Sequence, residues 1–154
     1  MSIVFLSAIA ALLYLAAGGL QAAHTLQHRD GPVRSVLTVG LLAMMCHAVL
    51  TWFVLNAPQG VTLGFFKILD LLALAINLIC VITLFWRPLQ SLLLVLFPVS
   101  AVTVVVSSLG PDTGDVHSYP LGIIAHIASS IVAWSLLTME IGRASCRERV
   151  YTKV

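Results

Sequence analysis

Long apolar runs alternate with short polar breaks along the whole chain. Five stretches reach the roughly 20 mostly apolar residues that a helix needs to cross about 30 Å of hydrocarbon. They are Ser2 to Ala23, Ser35 to Leu55, Leu63 to Trp86, Ser91 to Leu109, and Leu121 to about Met139. The breaks carry turn chemistry: His28-Arg29-Asp30-Gly31-Pro32, Asn56-Ala57-Pro58-Gln59-Gly60, Arg87-Pro88 and Gly110-Pro111-Asp112-Thr113-Gly114-Asp115. Connections this short make consecutive helices antiparallel neighbours in one bundle. Unbroken runs such as Leu92-Leu93-Leu94-Val95-Leu96-Phe97 exclude the alternating segments of a membrane β-barrel. The first stretch lacks a basic leading region and outruns a signal-peptide core, so it reads as a span. The pattern predicts an all-α, polytopic transmembrane helix bundle.

Small and polar residues inside spans mark the faces that helices bury against one another. Residues three or four apart share a helix face. On that spacing Ser7, Ala11 and Gly18 align in the first helix, and Gly40, Ala43 and His47 in the second. The third aligns Lys67, Asp70, Ala73, Asn77 and Cys80, and the fourth Ser100, Thr103 and Ser107, just past Pro98, where a kink is expected. The fifth aligns Gly122, His126, Ser129, Ser130 and Ala133. Each helix therefore has one polar seam, and the seams are expected to converge.

Composition sharpens this picture. Hydrophobic residues make up 60% of the chain and charged ones only 9%, too few charges to cover a water-facing surface. A net charge of +2 gives no basic footprint for nucleic acid, and three cysteines give no disulfide scaffold. The lipid bilayer is the expected surrounding. Arg29, Arg34 and Arg87 fall in the first and third loops, which places those loops in the cytoplasm and the N-terminus outside. Lys67, on the outer side, mildly opposes that rule.

The composition shifts abruptly after Met139. The run from Glu140 to Val150 resembles the in-frame translation of a common short-read sequencing adapter. On this reading residues 1–139 are the membrane domain, residues 140–154 are a non-native tail, and Cys146 carries no meaning.

An ionisable side chain at membrane depth points to function. His47 lies about 13 Å, and His126 about 8 Å, below the outer ends of their helices. Neutral imidazole serves as a haem-iron ligand or a proton relay. Two inward histidines among small neighbours would flank a flat macrocycle; the alternative is that each is a core histidine satisfied by a hydroxyl or carbonyl. His24 and His28 form an i,i+4 pair without a third ligand and fit the interface, and His117 fits a loop. Lys67 and Asp70 suit a structural ion pair, while Asp70 and Asn77 on one stripe leave a transporter reading open. Cys46 and Cys80 read as packing thiols. No phosphate loop, nucleophile elbow or zinc-hydrolase motif is present, so a non-enzymatic role is expected.

The segment Ala43-Met44-Met45-Cys46-His47-Ala48 resembles the histidine-centred helix of YpjD-type inner-membrane proteins of the CcsA/CcmC/CcmF (HemX-like) cytochrome c assembly family. Leu63-Gly64-Phe65-Phe66-Lys67-Ile68-Leu69-Asp70-Leu71 is similar to the family's opening of the third helix, and Trp86-Arg87-Pro88 with Pro98 to the turn and helix that follow. Pro120-Leu121-Gly122-Ile123-Ile124-Ala125-His126-Ile127-Ala128-Ser129-Ser130 resembles the helix bearing a second histidine. The resemblance runs in order through residues 1 to about 139. It implies an eight-helix protein of the bacterial inner (plasma) membrane, of which five helices are present here. It further implies haem binding, with His47 and His126 as axial ligands to haem iron, a part in cytochrome c biogenesis, and other maturation proteins as partners. The chain departs from CcsA and CcmC in one respect: it lacks their tryptophan-rich outer loop, since Trp52, Trp86 and Trp134 are scattered over separate helices. YpjD-type proteins share that departure. The alternatives are a small transporter or transporter subunit using Asp70 and Asn77, and a scaffold bundle whose histidines only hydrogen-bond.

Overall fold

The computed structural model describes residues 3–27, 34–57, 60–62, 64–84, 90–110, 116–117 and 119–151. Five helices dominate: α1 (Ile3–Leu26), α2 (Arg34–Leu55), α3 (Phe65–Leu84), α4 (Gln90–Leu109) and α5 (Leu121–Tyr151). Each contains a window apolar enough to span a bilayer. This is a multi-pass membrane protein. Its surface is what lipid contact requires, with large apolar side chains such as Phe5, Leu12, Trp52, Phe53, Val102 and Trp134 exposed around the bundle. The loop arginines Arg29 and Arg87 lie outside the described residues, as do His28 and Trp86.

The first four helices close a ring. α1 packs on α2 and on α4, α2 packs on α3, and α3 packs on α4. Their predicted seams are the faces that meet: Ser7, Ala11 and Gly18, then Gly40, Ala43 and His47, then Lys67, Asp70, Ala73, Asn77 and Cys80, then Ser100, Thr103 and Ser107 are all buried. Small residues permit the approach. Phe97 of α4 lodges between α1 and α2, and a Cβ on Gly40 would stand 2.8 Å from its Cζ. Tyr14 packs against the same ring at 5.8 Å between centroids. Between α3 and α4, the Asn77 amide donates to the Ala73 carbonyl at 2.8 Å and to the Ser100 hydroxyl, which itself donates to the Leu96 carbonyl. The helix runs on through Pro98. It ends at Gly110, whose N–H reaches the Val106 carbonyl at 2.7 Å.

The α2–α3 and α4–α5 connections are not plain turns: they supply short strands β1 (Asn56–Ala57), β2 (Gly60–Thr62) and β3 (Val116–His117), which pair antiparallel in the order β1-β2-β3. The β-branched residues Val61, Thr62 and Val116 suit that pairing, and the sheet ties both connections together at one end of the bundle. His117 accordingly lies in a strand, opposite Val61. Helix α5 continues past Met139 to Tyr151. Residues 140–149 consist largely of helix formers, and Glu140 pairs with Arg143 at 2.9 Å, so nothing there breaks the helix.

α5 stands outside the ring, chiefly against α3. Among its described side chains the buried ones are Ile131, Ser135 and Met139 rather than the predicted seam. Gly122, His126, Ser129 and Ala133 are exposed, and Ser130 is half-buried. Four seams converge and the fifth faces outward.

Candidate functional site

The polar residues of α1, α2 and α3 meet in one place. His47 and Thr51 are one turn apart on α2, and both face α3, where Asp70 sits about 8 Å from the helix start. The Thr51 hydroxyl donates to Asp70 Oδ2 at 2.8 Å. Asp70 Oδ1 lies 3.1 Å from His47 Nε2. This approach is a close polar contact that is not aligned as a straight hydrogen bond. On the other side of the imidazole, Nδ1 is 3.0 Å from the Tyr14 hydroxyl of α1, and the two rings meet edge to face. His47 is 0% exposed and Asp70 1% exposed. Thr51, Asp70, His47 and Tyr14 thus form a continuous chain that starts under the sheet-capped end and descends toward mid-bundle.

The arrangement follows from local sequence. Ala43 and Ala11 are small, so α2 and α1 approach closely enough for the Tyr14 hydroxyl to reach the ring. Ala73, one turn beyond Asp70, leaves the carboxylate open to α2. A carboxylate and an imidazole in hydrocarbon have no water to satisfy them, so each finds protein partners.

His47 is where the sequence placed it, on an inward face. Its expected counterpart is elsewhere. His126 is exposed on α5, a helix whose packing is on α3 rather than α2, so the structure does not bring the two histidines to a common gap. Both nitrogens of His47 face protein partners and its ring is closed off, so it presents no accessible lone pair to iron. His126 does: its ring makes no hydrogen bond among the described residues, and Ser129 and Ser130 direct their hydroxyls to the His126 carbonyl at 2.9 and 2.8 Å. Asp70 and Asn77 share the buried face of α3 but serve different partners, Asp70 toward α2 and Asn77 toward α4. Among the described residues no cluster of three or more metal-ligating side chains occurs.

Tyr14 and Thr51 are site residues that the sequence pattern did not single out. Both had a signal: Tyr14 falls between Ala11 and Gly18 on the first seam, and Thr51 follows His47 by four positions. The class defined here is a multi-pass α-helical membrane protein with an ionisable, hydrogen-bonded core. No family model matches the chain, and no curated protein and no solved structure was found to match it.

Proposed function

We propose that the chain belongs to a haem-handling protein of the bacterial inner membrane, of the cytochrome c assembly type, acting by holding or carrying haem rather than by turnover. The observation that carries this reading is the position of His126. It offers an unengaged imidazole on an outward face whose neighbours, Gly122, Ser129 and Ala133, are small enough to admit a flat macrocycle. That imidazole lies in the segment that resembles the family's histidine-bearing helix. An ionisable ring directed at acyl chains is costly, so an occupant for this face is favoured. Bound haem would supply a redox-active iron, and His126 would hold it from one side. His47, closed off between Asp70 and Tyr14, does not fit the role of second ligand.

The test is the absorption spectrum of the full chain, purified in lipid nanodiscs and supplied with haemin. His126→Ala is expected to remove most of the ligated-haem absorbance, whereas His47→Gln retains it in whatever fraction of protein remains folded. A spectrum indifferent to His126→Ala would overturn the reading.

One observation favours a second reading. Asp70 is a carboxylate buried within a span and hydrogen-bonded to a neighbouring helix, which is where coupled transporters place their ion-binding groups. Transport would then depend on Asp70, and Asp70→Asn would abolish flux into proteoliposomes while leaving haem absorbance unchanged.

A further inference from the structure

Beyond any haem chemistry, the chain Thr51–Asp70–His47–Tyr14 has a property of its own. An ionised carboxylate only accepts hydrogen bonds, so with Asp70 ionised the His47 nitrogen facing it, Nε2 at 3.1 Å, is the one that would carry a proton. The other nitrogen, Nδ1, faces a hydroxyl at 3.0 Å, and a hydroxyl both donates and accepts. With neutral imidazole, Tyr14 donates its O–H to Nδ1. If a proton is added at Nδ1, the new N–H donates to the Tyr14 oxygen after the hydroxyl hydrogen rotates away. No heavy atom has to move, and Nδ1 stays partnered in both states; the cost falls on the Tyr14 O–H, which gives up its hydrogen bond to Nδ1 and must turn to another acceptor.

We propose that this cluster is a proton-binding site within the membrane span, with His47 as the group that takes the proton and Asp70 as its counter-charge. Within the His47–Asp70 couple, neutral imidazole beside an ionised carboxylate leaves one net negative charge, which uptake of one proton cancels; Lys67, one turn from Asp70 on the same buried face, adds a cation to that balance. The titratable groups facing His47 are few. α1 contributes Tyr14, beside which Cys46 of α2 lies, and α3 contributes Asp70 with Lys67 one turn away on the same buried face. α4 carries no titratable side chain along its length. Thr51 occupies the second carboxylate oxygen, holding Oδ1 toward the ring. The site ties α1, α2 and α3 together, so its protonation state bears directly on how those three helices pack.

The experiment is ¹⁵N NMR of histidine-labelled full chain in lipid nanodiscs, with the His47 signals assigned by comparison with His47→Gln. The imidazole nitrogen shifts distinguish the neutral tautomers from the doubly protonated ring. The expected result is the Nε2–H tautomer at the alkaline end and conversion to the doubly protonated ring as the sample is acidified. Asp70→Asn, nearly isosteric, is expected to abolish that conversion, and Tyr14→Phe to shift the Nδ1 signal at every pH. A ring that keeps one protonation state throughout, or that titrates identically in Asp70→Asn, overturns the proposal. Should both variants misfold, Thr51→Val supplies the readout: an altered His47 titration supports the cluster, and an unaltered one overturns it. Haemin added to the labelled protein separates this site from the haem reading, because it is expected to perturb the His126 signals and leave those of His47 in place. Perturbation of His47 by haemin would make it an iron ligand and end the proposal.

Discussion

His47 Nε2 and Asp70 Oδ1 stand 3.1 Å apart across the α2–α3 interface, and neither residue reaches the surface. Removing one partner leaves the other buried and uncompensated. His47→Ala and Asp70→Ala are each expected to cost about 3–5 kcal/mol. The double variant should cost well under the sum, with a coupling above about 1 kcal/mol. Reversible unfolding in bicelles measures all three, and an additive cycle would show that the two residues do not act as a pair.

Tyr14 serves two purposes that substitution separates. Tyr14→Phe loses the hydroxyl at His47 but keeps the ring against Phe97, and is expected to cost about 0.5–1.5 kcal/mol. Tyr14→Ala also opens a cavity where α1, α2 and α4 meet, and is expected to cost about 3–5 kcal/mol. Equal losses in the two variants would mean that the hydroxyl carries the whole effect.

Gly40 is set by Phe97. A methyl at position 40 meets the phenyl ring at 2.8 Å, so Gly40→Ala is expected to destabilise by about 1–3 kcal/mol. Shortening the intruding side chain with Phe97→Leu should recover part of that loss. Thermal melting of the single and double variants in detergent decides it, and a Gly40→Ala protein as stable as the parent would mean that the helices separate at no cost.

The outward face of α5 is open to a direct check. A nitroxide placed at Ser129→Cys should collide freely with oxygen dissolved in the lipid, whereas one at Ser135→Cys, on the buried face, should be shielded. Power-saturation EPR gives both accessibilities. The reverse ranking would rotate α5 and turn His126 inward.

His126 makes no hydrogen bond through its ring among the described residues and lies exposed, so His126→Ala should change stability by less than about 0.5 kcal/mol. Loss of haem absorbance in that variant therefore reports ligation rather than unfolding. A large loss of stability would show that the ring is packed.

Periodicity alone was enough to locate five spans and to identify the buried face of four of them, because a helix crossing lipid must hide its small and polar residues at a three-to-four spacing. Ser7, Gly40, His47, Asp70, Asn77 and Ser100 were legible on those grounds. Pairing was not. A stripe tells which side of a helix turns inward, not which neighbour it meets or at what height, so the partnership of His47 with Asp70 and Tyr14 rather than with His126 came only from the packed bundle. The reversal of α5 has the same origin: four helices already close the ring around Tyr14 and Phe97, and the fifth has only the flank of α3 left to cover. The chain by itself determined what must be buried somewhere, since hydrophobicity and spacing are local properties. Which groups share a site was decided by helix packing, because distances between side chains on different helices exist only once the helices have docked.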